Sequence, residues 1–178
     1  TVQESLANQV VRALSIDLSA EQRERLARRD TVDPEAWQLF LNGRYQFGLR
    51  TMDALLKALE FYEAAARRDP AFALPHAGIA DVLTIQGVFG LRPPRSVFPR
   101  ADFEAQRAVE LDQGLAEAHS SLGHIEVQFH RNWREAERLY RHSLSLRSDQ
   151  ARGRLLLANC LMMQGRTEEA LAEGRWSQ

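Results

Sequence analysis

The fold is decided by residues 132–146, which read NWREAERLYRHSLSL. Two earlier segments, Tyr62–Pro70 and Ala105–Asp112, end in the same way, and each of the three is followed within a few residues by a new helix start. The small residues Ala101, Ala136 and Ala170 recur at separations of 35 and 34, whereas Ala58 precedes Ala101 by 43. A period of about 34 residues with two helices per unit predicts a repeat architecture.

Helix start and stop signals agree with this division. Asp33-Pro34-Glu35 reads as an N-cap, a proline at the first helical position and an acidic first turn. Asn132 and Glu135 have the spacing of a capping box, and Gly165 separates two further helices. The period-2 alternation typical of strands does not occur. We therefore predict four helix pairs over residues 34–69, 71–111, 115–147 and 149–178, the last one truncated and the second interrupted by Pro93-Pro94.

A different element precedes these repeats. Residues 1–30 contain an apolar stripe of Val2, Leu6, Val10 and Leu14 at i, i+4 spacing, and then a short charged helix. We expect the first helix to cap the stack, because an uncapped terminal repeat exposes its apolar face. The chain starts without Met and ends soon after a helix begins, so we expect it to be a fragment of a longer protein.

Composition argues against several function classes. The formal net charge of -1 gives no general attraction to nucleic acid or to an anionic membrane, and no apolar run is long enough to span a bilayer. The arginines of residues 23–29 alternate with acidic residues and are expected to form local ion pairs. The single cysteine, Cys160, lies in an apolar helical stretch and is expected to be a packed thiol.

Catalysis and metal binding are not supported by the residue spacing. His119, His124 and His130 are five and six residues apart, whereas two ligands on one helical face need a spacing of three or four. Ser120 and Ser121 lie near His124 without a nucleophile motif, and no phosphate-binding loop occurs. We expect no enzyme activity, no metal and no cofactor in this fragment.

The repeated residues resemble the tetratricopeptide repeat family over about residues 34–175. The family places a bulky residue, a leucine and a small residue on helix A, and a small residue, an aromatic residue and an alanine on helix B. The matching sets are Trp37, Phe40, Ala58, Tyr62 and Ala65, then His76, Ile79, Ala80, Ala101 and Ala108, then His119, Leu122, Gly123, Ala136 and Tyr140, and finally Leu157, Ala158 and Ala170. Leu41, Ala105 and Arg154 depart from the pattern. The resemblance implies a right-handed α-solenoid of about four hairpins.

A narrower resemblance covers residues 2–26, Asp33–Trp37 and Leu41–Tyr45. These segments are similar to the C-terminal repeat region of bacterial proteins that join a winged-helix activator domain or a nucleotide cyclase domain to tetratricopeptide repeats. The resemblance implies the sensing or scaffolding part of a signalling or transcriptional regulator, in the cytoplasm, or in the periplasm if the parent is membrane-anchored.

Family resemblance also implies where a partner would bind. The A helices of the family line a concave face, and the position five after the bulky residue points into the groove. These positions hold Asn42, Asp81, His124 and Asn159, and the residues one turn later include Gln46, Gln128 and Met163. Their polar groups predict a groove for a protein or peptide backbone. An empty solvated face, or one filled by a terminal segment of the chain, is the alternative. The four positions carry no cations, so recognition of a C-terminal carboxylate is not indicated.

Two further functions stay open from the sequence. The exposed last repeat could stack on another copy and drive self-association, or the fragment could regulate a nucleotide cyclase located upstream. The loop around Pro93-Pro94 raises a similar choice, because Phe89, Leu91, Val97 and Phe98 either pack on the core or form an exposed patch. We favour packing, and we expect no direct contact with nucleic acid and no membrane insertion.

Overall fold

The computed structural model describes Thr31 and residues 33–175 as a series of helical hairpins. The pairs are α1 (Pro34–Leu49) with α2 (Met52–Arg68), α3 (Ala73–Val88) with α4 (Pro94–Leu111), α5 (Ala116–Ile125) with α6 (Trp133–Leu146), and α7 (Ala151–Met163) with α8 (Thr167–Arg175). A π-helical turn, Glu126–His130, extends α5. No strand occurs within these ranges. The prediction of an all-α solenoid of hairpins is confirmed, while the expected capping helix in residues 1–30 lies outside the described residues.

The caps form where the sequence indicates them. The Asp33 carboxylate accepts hydrogen bonds from the backbone N–H groups of Glu35 and Ala36 at 2.9 and 3.1 Å. The Asn132 side chain accepts one from the Glu135 N–H at 3.4 Å. Pro94 opens α4 as its first residue, because a missing N–H costs nothing there. The two prolines therefore interrupt the chain, as predicted, and the second also starts the next helix.

Packing between the helices of the first repeat depends on the ring of Tyr62, which is only 3% exposed. A Cβ atom added to Gly43 would lie 2.6 Å from the ring, and one added to Gly78 of the next repeat would lie 2.8 Å from it. Gly123 has the same relation to Tyr140 in the third repeat, at 2.8 Å. Gly43 therefore holds the small position of the first repeat. Our assignment of Leu41 to that position was shifted by two residues, and Leu41 is 37% exposed.

The hairpins stack in one direction. The first helices of the pairs, α1, α3, α5 and α7, which we call the A helices, contact one another in sequence. Each second helix, or B helix, packs on its own A helix, and the first three B helices also pack on the A helix of the next pair. The A helices therefore run side by side, so the turns inside the pairs lie along one edge of the stack, and the turns between pairs lie along the other.

The long loop of the second repeat divides between core and solvent. Val97 and Phe98 are buried, with 1% and 2% exposure, and Phe98 stacks on Phe129 of the π-helical turn at a ring-centroid distance of 4.9 Å. Leu91 is half-buried, but Phe89 is 72% exposed. Our expectation of packing therefore holds for three of these four apolar residues and not for Phe89, which lies at the C-terminal end of α3.

Candidate functional site

A polar cluster joins three successive A helices. The Asp81 carboxylate of α3 accepts a hydrogen bond from the Ser121 hydroxyl of α5 at 2.8 Å and forms an ion pair with the Arg152 guanidinium of α7. Asp81 is 8% exposed, whereas 40% of the Arg152 side chain is open to solvent. Arg152 therefore reaches from the fourth repeat to the second. We call Asp81, Ser121, His124 and Arg152 the inter-repeat cluster.

Electrostatic interactions keep the Asp81 and Arg152 members of this cluster charged. Burial alone would raise the pKa of Asp81, but the Arg152 charge and the hydrogen bonds from Arg152 and Ser121 outweigh burial and lower it. The pKa of Arg152 is raised, above all by the Asp81 charge. A buried carboxylate needs such a partner, because an unpaired charge away from water is strongly unfavourable. Asp81 and Arg152 are therefore an ionised pair at neutral pH.

His124 is the neutral member of the cluster. Burial lowers the pKa of its imidazole more than the Asp81 carboxylate raises it, and Arg152 lowers it further. Its Nδ1 atom is buried and has no hydrogen-bond partner among the described residues. An uncharged ring with an unpaired nitrogen can donate or accept one hydrogen bond, depending on its tautomer.

Arginines and aromatic rings extend the cluster toward the first repeat. The Phe47 ring of α1 has the Arg50 guanidinium over it at 4.4 Å and the Arg152 guanidinium at 5.8 Å, and Arg44 lies 5.8 Å from the Phe40 ring. Burial raises the pKa of the Tyr62 hydroxyl, Asp81 adds to the increase, and Arg44, Arg152 and Arg50 oppose it. Arg44, Arg50 and Arg152 therefore all lie close enough to the Tyr62 hydroxyl to oppose the increase in its pKa.

The seven residues that the sequence suggested as groove positions have different surroundings. Asp81 and His124 come together in the inter-repeat cluster. Asn42 is half-buried and accepts a hydrogen bond from Gln38 at 3.2 Å within α1. The others lie at the surface without a described partner: Gln46 and Gln128 are half-buried, and Asn159 and Met163 are exposed. A binding role for these residues remains a prediction.

Sequence reasoning missed Arg152 and Arg44. Arg152 precedes Asn159 by seven residues, two helical turns, so it shares the helix face that Asn159 marked. Arg44 directly follows Gly43, as His124 follows Gly123, and it becomes the equivalent groove position once the register of the first repeat is corrected. The four positions chosen from the sequence therefore held no cations for two reasons. The register of the first repeat was wrong by two residues, which missed Arg44, and one position per A helix was considered, which missed Arg152.

His119 and Cys160, which the sequence analysis considered as candidate site residues, are both buried within the stack. His119 Nε2 lies 2.9 Å from the Gln113 carbonyl oxygen, and its ring meets the His142 ring edge-on at 4.4 Å. Within residues 33–175, no three His, Cys, Asp or Glu side chains converge as metal ligands would. Cys160 is 1% exposed, and burial raises the pKa of its thiol. None of the described helices has both the length and the apolar character needed to cross a bilayer.

Comparison with known proteins supports the class that this geometry indicates. A family profile described as "Tetratricopeptide repeat" matches residues 130–173. No curated protein shows significant similarity to the chain.

Three solved structures illustrate the similarity of fold. A thermophilic tetratricopeptide protein of Thermus thermophilus is 20% identical with a TM-score of 0.69, covering 81% of this chain and 73% of that one. The first tetratricopeptide domain of Spaghetti (RPAP3), bound to an HSP90 peptide, is 19% identical with a TM-score of 0.55, covering 74% and 94%. YrrB, described as having an unusual peptide-binding site, is 17% identical with a TM-score of 0.52, covering 87% and 71%.

The fold is thus that of a tetratricopeptide solenoid, a class of repeat scaffold. The family profile matches part of the third repeat and most of the fourth, and the structural neighbours share the fold of the whole stack of hairpins.

Proposed function

We propose that this chain is a protein-interaction module whose A-helix face binds an extended segment of a partner protein. Tetratricopeptide proteins mediate protein–protein or peptide binding, and two of the similar structures are described by their peptides or peptide-binding sites. Catalysis is not part of this proposal, because repeat scaffolds of this kind typically act by binding.

The observation that carries the proposal is the position of Arg152. One side of its guanidinium is anchored by the buried Asp81 carboxylate, while 40% of the side chain faces solvent. A guanidinium has five N–H donors in a fixed plane, so a pre-oriented arginine offers the remaining donors to a carbonyl or carboxylate of the partner. Anchoring reduces the rotamer entropy lost on binding, which improves affinity.

Charge and hydrogen bonding suggest the chemistry of the bound segment. Arg44, over the Phe40 ring, and Arg50, over the Phe47 ring, add positive charge beside the Asp81–Arg152 pair. An acidic segment would match these charges, and a side chain stacked on Phe47 would add apolar contact. The polar positions Asn42, Gln46, Gln128 and Asn159, together with Met163, would complete the surface along the stack.

Peptide selection tests this function. A display library of random 12-residue peptides is selected on the whole chain, and the affinities of the selected peptides are measured by fluorescence anisotropy. We expect Arg152→Ala to weaken binding at least tenfold, and Arg138→Ala to leave it unchanged, because Arg138 is paired with Glu135 on a B helix. Selected peptides that bind both variants like the parent chain would contradict the proposed site.

We also propose that the parent protein is a bacterial signalling or transcriptional regulator. This step is supported only by the resemblance of residues 2–26, Asp33–Trp37 and Leu41–Tyr45 to the repeat regions of such proteins. The gene sequence upstream of Thr1 tests this proposal. A winged-helix pattern there supports a transcriptional regulator, and a cyclase pattern supports a nucleotide-signalling enzyme. If the upstream sequence contains neither pattern, both identifications are wrong. The proposed location is the cytoplasm, or the periplasm if the parent protein is membrane-anchored.

Self-association is the second candidate function, and one observation favours it. The last described repeat has four large apolar side chains that are half exposed or more, namely Leu155 at 60%, Met162 at 53%, Met163 at 56% and Leu171 at 51%. Light scattering over a concentration series distinguishes the two functions. A constant mass near the monomer value of 20.3 kDa excludes self-association, whereas a mass that doubles with concentration supports it.

A further inference from the structure

Ion pairing separates the arginines into two groups. The structure describes the side chains of sixteen arginines, and ten of them form ion pairs with carboxylates. The six without a carboxylate partner in the described ranges are Arg44, Arg50, Arg92, Arg95, Arg131 and Arg134. Unpaired arginines are therefore a minority, and their positions are informative.

Five of these six arginines lie in the same kind of turn. Arg50 lies between α1 and α2. Arg92 lies between α3 and α4, and Arg95 lies in the first turn of α4. In the third repeat, Arg131 lies just before α6, and Arg134 lies in its first turn. All five are exposed. Because the A helices run side by side, these turns follow one another along one edge of the stack, which we call the arginine edge.

Four of the five occupy positions that disfavour arginine locally. Arg50 and Arg131 adopt left-handed backbone conformations, with φ of 56° and 59°, where glycine is the favoured residue. Arg95 and Arg134 lie in the first turns of α4 and α6, where the helix dipole disfavours a cation. None of these four arginines forms an ion pair with a carboxylate in the described part of the chain. Residues that break local rules without compensation often have a functional reason.

Each of the three turns also exposes an apolar side chain beside its arginines. Leu49 precedes Arg50 and is 47% exposed, Phe89 precedes Arg92 and is 72% exposed, and Phe129 precedes Arg131 and is 36% exposed. The combination of cation and apolar group is therefore repeated three times along the edge.

The opposite edge has a different character. Its carboxylates are used internally: Asp69 accepts a hydrogen bond from the Ala71 N–H at 3.0 Å, Asp112 accepts one from the Gly114 N–H at 2.9 Å, and Glu117 pairs with Arg147 at 2.6 Å. The fold thus places uncompensated positive charge on one edge of a chain whose formal net charge is -1. A near-neutral total is compatible with a strongly basic local surface.

We propose that the arginine edge docks on an anionic phospholipid membrane surface. Guanidinium groups bind phosphate and carboxylate in a bidentate way, and anionic headgroups offer both. Turns that follow one another along an edge can meet a plane together, and Leu49 and Phe89 can enter the boundary between headgroups and acyl chains. A deformable lipid surface needs no pocket for Phe89, whereas a protein partner would need one.

Vesicle flotation tests this docking. The whole chain is mixed with phosphatidylcholine vesicles with or without about 30% phosphatidylserine at low ionic strength. We expect binding to the anionic vesicles only, and weaker binding at high salt because exposed charges are screened. Each arginine near such a surface increases the partition coefficient onto the vesicles roughly fivefold. Replacing Arg92, Arg95, Arg131 and Arg134 with Gln should therefore reduce the partition coefficient at least a hundredfold.

A matched control removes the same charge elsewhere. It replaces Arg67, Arg107, Arg138 and Arg141 with Gln. All four have carboxylate partners; three are exposed and Arg107 is half-buried. The control should bind nearly as well as the parent chain, and Phe89→Ser should bind several-fold less. Circular dichroism confirms that each variant is folded before it is compared.

Three results would overturn the proposal. They are no binding to anionic vesicles, an equal loss in the control and the edge variant, or edge-dependent binding to polyglutamate without binding to vesicles. The last result would assign the edge to an acidic protein partner. Each of these results leaves the proposed peptide site untested, because Arg152 and His124 are unchanged in every variant. The two proposals can therefore fail separately.

Discussion

Two glycines of α1 give a sharp test of how the first repeat packs. A Cβ atom added to Gly43 would lie 2.6 Å from the Tyr62 ring, whereas one added to Gly48 would have nothing within 4 Å. We expect Gly43→Ala to destabilise the chain and Gly48→Ala to stabilise it. The two substitutions are chemically identical and share one helix, so their difference isolates the contact with Tyr62.

The magnitudes follow from two opposing effects. Alanine in a helix is favoured over glycine by about 0.5–1 kcal/mol, a gain that both variants receive. Overpacking a close-packed site costs about 1–3 kcal/mol. The Tyr62 ring is also held from the side of Gly78, at 2.8 Å, so it has little room to move away. We therefore place the cost near the upper end, which leaves Gly43→Ala about 2 kcal/mol less stable than the parent chain.

Thermal unfolding followed by circular dichroism measures both variants. For a chain of this size, 1 kcal/mol corresponds to a shift of about 2–4 °C, so Gly43→Ala should melt about 4–8 °C lower and Gly48→Ala about 1–4 °C higher. Equal or higher stability of Gly43→Ala would show that Tyr62 does not fill the space beside Gly43. The corrected register, and with it the place of Arg44 on the A-helix face, would then be wrong.

Four further outcomes are expected. Asp81→Asn and Arg152→Gln should each destabilise the chain by about 1–2 kcal/mol in urea titrations, less than for a fully buried pair because Arg152 is partly exposed. The pKa of Asp81 in the folded chain lies below its ordinary value of 3.8, so the ionised carboxylate stabilises the fold above pH 3.8 and stops doing so as the pH falls through the folded-state pKa. On acidification below about pH 4, Asp81→Asn should therefore lose less stability than the parent chain. Hydrogen exchange should be faster in Thr167–Arg175 than in Trp133–Leu146, because α8 ends the described stack. Cys160 should react with a thiol reagent only upon unfolding.

The repeat architecture could be predicted from the sequence because its signals are local. Caps such as Asp33 and Asn132 act within three residues, and the recurrence of Ala101, Ala136 and Ala170 reports the period directly. The register of the first repeat could not be fixed in the same way. Leu41 follows the large apolar residue Phe40, as the repeat pattern requires, whereas Gly43 follows Asn42. Only the ring of Tyr62, about twenty residues away, selects the glycine.

The candidate site was harder to predict than the fold, because its contacts join distant parts of the chain. Asp81 and His124 were chosen as single positions on separate helices, and nothing in the sequence indicates that Asp81 pairs with an arginine 71 residues later. The segregation of unpaired arginines is equally invisible locally, since it depends on which carboxylates other repeats supply. Composition gave a net charge, but only the stacking of the hairpins shows where that charge is exposed.

The Asp81–Arg152 pair changes how the stack should respond to a ligand. In a repeat array, stability is approximately a sum of single-repeat and nearest-neighbour terms. A charged contact from the second repeat to the fourth adds a term between repeats that are not adjacent, so loosening the fourth repeat also leaves Asp81 buried and unpaired. A partner that binds Arg152 in the anchored orientation would favour the closed arrangement of all three repeats. Binding at one residue would therefore stiffen the central stack, and Asp81→Asn would remove this coupling even if the groove itself remained intact.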